Sequence, residues 1–104
     1  MPTKKYNEAI ELTTFKLDGV TFEQFIAANE DVDSFLRRQE GFRWRKMIQL
    51  ENGTVADILG WDTVDAGTRA MHGLMSELSD SPVHATIKQS SVSWNIAPVL
   101  HSIG

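Results

Sequence analysis

Three side chains of this sequence are candidates for a general base, and each lies in a segment with a regular hydrophobic pattern. His72 falls in a helical stretch, and histidine is the side chain that changes charge near neutral pH. Glu11 and Asp57 fall inside strand-like runs, where burial disfavours the charged form of a carboxylate. Such a base can remove a proton from an organic substrate and leave an electron-rich anion. We take His72 as the candidate catalytic residue.

Each of these side chains also has a structural interpretation. Asp57 can pair with Arg43 or Arg45 across a hairpin, because opposite residues of neighbouring strands lie within reach of each other. Glu11 can face a second subunit, and His72 can be a half-exposed residue beside an apolar helix stripe. The residue types alone therefore leave the choice between catalysis and structure open.

Aromatic and sulfur-containing side chains form a second candidate site. The chain has three tryptophans, and an indole combines a large apolar area with one N–H donor. Together with nearby methionines, they can line a slot for a small, largely apolar molecule. The residues that we predict to contact such a ligand are Trp61, Trp94, Trp44, Met71 and Met75. In the alternative interpretation, the same residues build the core and the contact between subunits.

Composition and spacing argue against several other classes of function. The formal net charge is −4 and the basic residues form no stripe, so a nucleic-acid surface is not expected. There is no cysteine, and His72, His84 and His101 are spaced unlike a metal-binding motif, so we expect neither a metal nor a cofactor. No apolar segment approaches the ~20 residues that span a bilayer, and the start of the chain lacks a secretory pattern. These features predict a cytoplasmic protein without a membrane partner.

Four strands are predicted from the hydrophobic pattern. Residues 9–17 are rich in β-branched and aromatic side chains, which favour a strand. Two further strands, 42–50 and 54–61, meet at Asn52-Gly53, the sequence typical of a hairpin with a type I′ turn. Alternation of apolar and polar residues predicts the last strand over residues 92–96.

Helices are predicted between the first two strands and again between the last two. Thr21 and Gln24 have the spacing of a capping box at the start of a single first helix. Asp62 or Thr63 can cap the second helix, and a separate short helical piece follows over residues 81–88. The resulting order, βαββαβ, predicts one α+β domain over residues 1–104 with its core in about 9–100. In this ferredoxin-like architecture, a four-stranded antiparallel sheet carries its helices on one face.

The two strands of the hairpin carry apolar residues on both of their faces. In the first, Trp44 and Ile48 alternate with Met47 on the other side; in the second, Leu59 alternates with Ile58. A strand that is apolar on both sides is covered on both sides. Because the helices cover one face only, we predict that a second subunit covers the other, making a homodimer.

Several short motifs occur in a fixed order along the chain. They are EGF at 40–42, NGT at 52–54, DILGW at 57–61, a helix containing Ala66, Ala70 and Met75, and SPVHATIKQSSVSW at 81–94. Together they resemble the dimeric α/β-barrel superfamily, specifically its antibiotic-biosynthesis-monooxygenase-like branch, over most of the chain. The resemblance implies a ferredoxin-like subunit whose sheet packs on that of a second subunit to make a barrel. It also implies a pocket between sheet and helices.

The branch that the chain resembles contains several activities. It includes cofactor-independent oxygenases of electron-rich polycyclic substrates, haem-degrading enzymes and members with no assigned activity. The resemblance therefore implies binding of a small apolar molecule and cofactor-independent monooxygenase activity, with a non-enzymatic metabolite-binding or stress-related protein as the alternative. Trp61 and His72 resemble two members of the haem degraders' tryptophan–histidine–asparagine set. The first strand carries no asparagine, however, and Asn7 lies before it, so haem binding is the less favoured alternative.

Overall fold

The computed structural model describes residues 8–104, so Asn7 lies outside the described part of the chain. Strands and helices alternate in the predicted order, but the first helical segment is divided and the helical piece after the last α-helix is a 3-10 helix. The elements are β1 (Ala9–Leu17), α1 (Phe22–Ala27), α2 (Glu30–Arg37), β2 (Phe42–Gln49), β3 (Val55–Trp61), α3 (Val64–Glu77), a 3-10 helix (Pro82–Thr86) and β4 (Ile87–Pro98). The ferredoxin-like α+β fold class is confirmed.

The four strands form one antiparallel sheet in the order β2-β3-β1-β4. On the central strand β1, Glu11 lies between Leu59 of β3 and Ile96 of β4. Two residues further along, Thr13 lies between Asp57 and Trp94. Since alternate residues of a strand point to the same face, these two rows lie side by side on one face of the sheet. We call this the inner face because the helices pack on it.

The helical segment that follows β1 begins at the predicted capping box and breaks after one and a half turns. The Thr21 side chain accepts from the Gln24 amide, and the Gln24 side chain accepts from the Thr21 amide. The single helix predicted here is wrong, because α1 and α2 are separated at Ala28 and Asn29. The side-chain amide of the buried Asn29 donates to the carbonyl of Phe25 at 2.8 Å, which satisfies a carbonyl near the end of α1.

The hairpin between β2 and β3 is present, but its predicted type I′ turn is wrong. That turn needs positive φ at both central residues, and among residues 8–104 only glycines have positive φ. Gly53 has a φ of 89°, and its amide donates to the carbonyl of Leu50 at 2.8 Å. The Leu50 amide in turn donates to Thr54, also at 2.8 Å. The loop is therefore a three-residue connection with its glycine in the left-handed region.

A bulge near the start of β2 decides which face Trp44 occupies. The register shifts between Phe42 and Trp44, so Phe42 lies opposite Trp61 while Trp44 lies opposite Gly60. The Trp44 indole crosses Gly60 so closely that a Cβ at this position would collide with the ring. Trp44 consequently belongs to the outer face of the sheet, away from the helices.

The hydrophobic core lies between the inner face and the helices. Trp61 is fully buried there and meets the ring of Phe42 edge-on, with ring centroids 5.5 Å apart. The helix α3, which starts at the predicted Thr63 cap, can approach the sheet because it has glycine at position 67. A Cβ on Gly67 would stand 2.9 Å from Trp61 and 2.5 Å from Ile96. None of the helices within residues 8–104 is long and apolar enough to cross a membrane.

Candidate functional site

A cavity of about 350 Å³ lies between the inner face of the sheet and the helices. Its walls are mostly apolar and aromatic, and all four strands, the three α-helices and the 3-10 helix contribute to them. Met75, Gln89 and Val92 line it and are exposed to solvent, so the opening lies between α3 and the edge strand β4. Such a volume accommodates a flat molecule of two or three fused rings.

The carboxylate of Glu11 is the central polar group of this cavity. Its Oε1 accepts a hydrogen bond from the indole N–H of Trp61 at 2.7 Å, and its Oε2 accepts one from that of Trp94 at 2.6 Å. The residue is only 8% exposed. Both partners are neutral donors, so they orient the carboxylate without supplying a counter-charge. The alternative that Glu11 faces a second subunit is not what the structure shows.

Burial raises the pKa of Glu11 above its ordinary value of 4.5. The hydrogen bonds from Trp94 and Trp61 favour the charged form and oppose this rise. The negative charge of Asp57 adds to the rise in pKa, and the positive charge of Arg45 opposes it. Because burial outweighs the other contributions, Glu11 has a higher proton affinity than an exposed glutamate, as a general base requires.

A second polar cluster, made of Arg45, Asp57, Asp33 and Asn29, lies beside Glu11 in the same cavity wall. The Arg45 guanidinium donates twice to Asp57, at 3.0 and 2.8 Å, and once each to Asp33 and Asn29 at 2.8 Å. The pairing of Asp57 with Arg45 is one of the two pairings that the sequence predicts. Burial lowers the pKa of Arg45, but the bonds and charges of Asp57 and Asp33 raise it overall. The cluster is an ion-pair network that connects β2, β3 and the helices.

Four of the five predicted ligand-contacting residues come together in the cavity. Trp61 and Trp94 form part of its sheet side, and Met71 and Met75 contribute from α3. The tryptophans are held by Glu11, whereas the methionines adjoin the opening. These four residues stay predicted ligand contacts, now with a shared location.

Two predicted site residues lie elsewhere. Trp44 is on the outer face of the sheet with Lys46 above its ring, 5.5 Å from the centroid, because the bulge in β2 sets its orientation. His72 is exposed on α3 and does not line the cavity, since the apolar stripe of the helix turns other residues inward. This placement supports neither a ligand contact for Trp44 nor a catalytic role for His72. Trp61 lines the cavity and His72 does not, so the two residues on which the haem interpretation depends do not share this site.

Several cavity residues were not predicted as site residues from the sequence, among them His84, Asn29 and Arg45. His84, on the 3-10 helix, donates from Nε2 to the carbonyl of Leu78 at 2.8 Å and lines the cavity near its opening. The Ser81-Pro82 pair predicts this helical piece, but it does not indicate which residues the piece packs against. Asn29 and Arg45 have no local pattern that distinguishes them from surface residues. Among residues 8–104, no group of three His, Cys, Asp or Glu side chains is arranged to hold a metal ion.

Comparison with solved structures finds the same fold in other small proteins, two of which are oxygenases. SnoaB of Streptomyces nogalater, a cofactor-independent oxygenase, superposes with a TM-score of 0.73 at 17% identity, over 93% of this chain and 97% of its own. The monooxygenase ActVA-Orf6 of Streptomyces coelicolor, solved with nanaomycin D, gives a TM-score of 0.67 at 18% identity, over 94% and 92%. A conserved protein of Methanosarcina mazei Go1 gives 0.71 at 7% identity, over 93% and 97%.

The chain has the fold of these oxygenases. No protein-family model matches the sequence, and no curated protein is significantly similar to it. At these identities the likeness covers the backbone arrangement, so what the cavity does must be argued from its own residues.

Proposed function

We propose that this protein is a cofactor-independent monooxygenase of a small, largely apolar aromatic molecule that binds between sheet and helices. The observation that carries the proposal is the buried Glu11 carboxylate, held by two indole N–H groups inside an apolar cavity. Its raised pKa suits a general base. The shared fold with SnoaB, which is a cofactor-independent oxygenase, supports the same function.

In the proposed reaction, Glu11 takes the proton of an aromatic hydroxyl and leaves an electron-rich oxyanion. The oxyanion gives one electron to O2, and the superoxide formed joins the ring radical through a new C–O bond. Glu11 returns its proton to the peroxide, whose O–O bond breaks as the same carbon loses its hydrogen. One oxygen atom stays as a ring carbonyl and the other leaves as water. The hydroxyarene and O2 thus give a quinone and water, and the substrate supplies all the electrons.

The two carboxylate oxygens of Glu11 are not equivalent in this step. Trp61 is fully buried, so loss of its hydrogen bond to Oε1 would leave a donor unsatisfied at a cost of about 1–3 kcal/mol. Trp94 is only partly buried, so its bond to Oε2 can be given up to water or ligand. We therefore assign Oε2 as the proton acceptor. Its protonation weakens the bond from Trp94, whose N–H can then donate to the substrate oxyanion.

Incorporation of isotopic oxygen into the product tests this function directly. Purified protein is incubated with hydroxynaphthalenes under ¹⁸O2, and the product is analysed by mass spectrometry. One ¹⁸O atom per quinone, with turnover lost in Glu11→Gln and kept in His72→Ala, is the expected result. Saturable binding without oxygen uptake would contradict the enzymatic function and favour the metabolite-binding alternative.

We also infer that two copies of the chain pack outer face to outer face. Leu12, Ile48 and Leu50 on that face are 40%, 49% and 46% exposed, a degree of exposure that a partner sheet would remove. Native mass spectrometry should give a mass twice the 11.7 kDa of the chain, and Leu12→Lys should give the single-chain mass. A wild-type protein that is monomeric at micromolar concentration would contradict the inference. The cytoplasmic location stays a prediction.

A further inference from the structure

Most of the hydrogen-bond donors beside Glu11 in the cavity are occupied by the protein itself. Both indole N–H groups are used by Glu11, and the Asn29 amide donates to Phe25. Arg45 uses four of its five N–H groups on Asp57, Asp33 and Asn29. An arginine in a binding cavity commonly anchors a carboxylate or phosphate, but this guanidinium has little left with which to do so.

The charges around the cavity lead to the same conclusion. The carboxylates of Glu11, Asp57 and Asp33 surround one guanidinium, that of Arg45. Asp33 is partly exposed to solvent, whereas Glu11 is buried and the Arg45 and Asp57 side chains are only 10% and 13% exposed. An anionic ligand would meet an excess of negative charge at short range and a low local dielectric.

Hydrogen-bond acceptors, in contrast, remain free at the same place. A carboxylate has about four lone-pair positions, and the two indoles occupy two of those on Glu11. Thr13, beside Glu11 on β1, adds a hydroxyl that can accept or donate. We propose that the cavity selects an uncharged aromatic ligand that presents a hydroxyl donor to Glu11 and that it rejects ligands bearing a carboxylate, sulfonate or phosphate.

The inference rests on the proposed function in that it takes the same cavity as the substrate site. It adds that substrates are selected by charge, and that any acidic group on a natural precursor must be absent or masked before the molecule enters. A cationic ligand would gain attraction from the carboxylates but would lose its hydration on entering mainly apolar walls. The uncharged donor is therefore the ligand class to which we commit.

Anaerobic binding measurements with matched naphthalenes test the inference without turnover. The probes are 2-naphthol, 2-methoxynaphthalene, 2-naphthoate and 2-naphthylmethylammonium, titrated calorimetrically near neutral pH. We expect 2-naphthol to bind roughly tenfold tighter than the methoxy compound, because the latter lacks the hydrogen bond to a charged acceptor. We expect 2-naphthoate to bind roughly a hundredfold more weakly than 2-naphthol or not at all.

Two variants sharpen the test. Glu11→Gln removes the charge and one acceptor oxygen, so the binding of 2-naphthol should weaken and the binding of 2-naphthoate should tighten. Asp57→Asn removes one negative charge and one of the two oxygens that accept from Arg45, so it should also allow 2-naphthoate to bind. His72→Ala, exposed and outside the cavity, is the matched control that should bind all four probes as the wild type does.

The outcomes separate this inference from the proposed function. Equal or tighter binding of 2-naphthoate or of the ammonium probe, or no binding of any probe, would overturn the charge selection. Selective binding of 2-naphthol without its oxidation in air would keep the selection and refute the monooxygenase. Oxidation of 2-naphthol in air, together with equal binding of all four probes, would keep the monooxygenase and refute the charge selection.

Discussion

Glu11 and Asp57 are carboxylates on neighbouring strands in the wall of one cavity, yet their surroundings differ. Glu11 is held by two neutral indole donors, and Asp57 by two bonds from the guanidinium of Arg45. Neutral donors orient a carboxylate without neutralising its charge, whereas a bidentate guanidinium supplies a counter-charge at hydrogen-bond distance. The comparison shows two carboxylates of one cavity wall in different roles: Glu11 is buried without a directly bonded counter-charge, and Asp57 belongs to an ion-pair network.

Removing the carboxylate from the indole pair should have the largest effect. Glu11→Gln keeps the size of the side chain but cannot accept a proton, so we expect kcat/KM to fall about 10²–10⁴-fold. Asp57→Asn is the comparison, and it should lower activity much less at temperatures where it stays folded. Similar losses in both variants would contradict the distinction between the two carboxylates.

Removing the cation from the second cluster should affect stability more than chemistry. Arg45→Met leaves Asp57 and Asn29 buried without their partner, which should cost about 3–5 kcal/mol in the free energy of unfolding. Arg43→Met is a matched control, since its ion pairs with Asp62 and Glu8 are solvent-exposed and should be worth under about 1 kcal/mol. If urea denaturation showed that both variants lose the same free energy of unfolding, the structural role of the Arg45 network would be contradicted.

Removing one indole donor should have a smaller effect and change the pH profile. Trp94→Phe takes away a hydrogen bond to Oε2, which should cost about 1.5 kcal/mol of stability. It should also raise the pKa of Glu11 further and move the acid limb of the kcat profile to higher pH, because the bond from Trp94 favours the ionised form. Trp44→Phe, on the outer face, should leave that limb unchanged. An unmoved limb in Trp94→Phe would rule out Glu11 as the group that titrates.

The smallest predicted effect is the pH dependence of stability due to Glu11. The folded-state pKa lies above the ordinary 4.5, so the folded chain holds this proton more tightly than the unfolded chain does. The contribution of Glu11 to the free energy of unfolding therefore falls as pH rises from about 4.5 to the raised value, and is constant above it. The difference between wild type and Glu11→Gln in urea denaturation should follow this course. A difference that grows with pH would contradict the raised pKa.

The sequence predicts the architecture better than it predicts the site. Period-two alternation and caps such as Thr21 and Thr63 are local signals, and the structure has both caps and the sheet they imply. The bulge that turns Trp44 outward lies in the pairing of two strands, and the Asn29 side chain at the helix break is held by Arg45 of β2; both are contacts between separate segments that no local pattern encodes. Asn52-Gly53 predicted the hairpin but not its turn type, because a three-residue loop also uses one glycine.

The pairing of Glu11 with two tryptophans spans the whole chain. Trp61 is 50 residues and Trp94 is 83 residues from Glu11 in sequence. The three side chains come together only because β3 and β4 pair with β1 in these registers, which are a property of the folded sheet and not of any one strand. His72, in contrast, rests on residue type and on the resemblance, and it lies exposed on α3 outside the cavity, so its catalytic role stays a prediction.

The most direct test of the account is an NMR titration of the indole N–H groups. The chain has three tryptophans, so a ¹⁵N-labelled sample shows three such signals. We predict that those of Trp61 and Trp94 are shifted by their short bonds to Glu11 and move together with one midpoint above pH 4.5, while that of Trp44 stays still. Absence of a shared midpoint, or the same titration in Glu11→Gln, would contradict the claim that one buried carboxylate joins the two tryptophans.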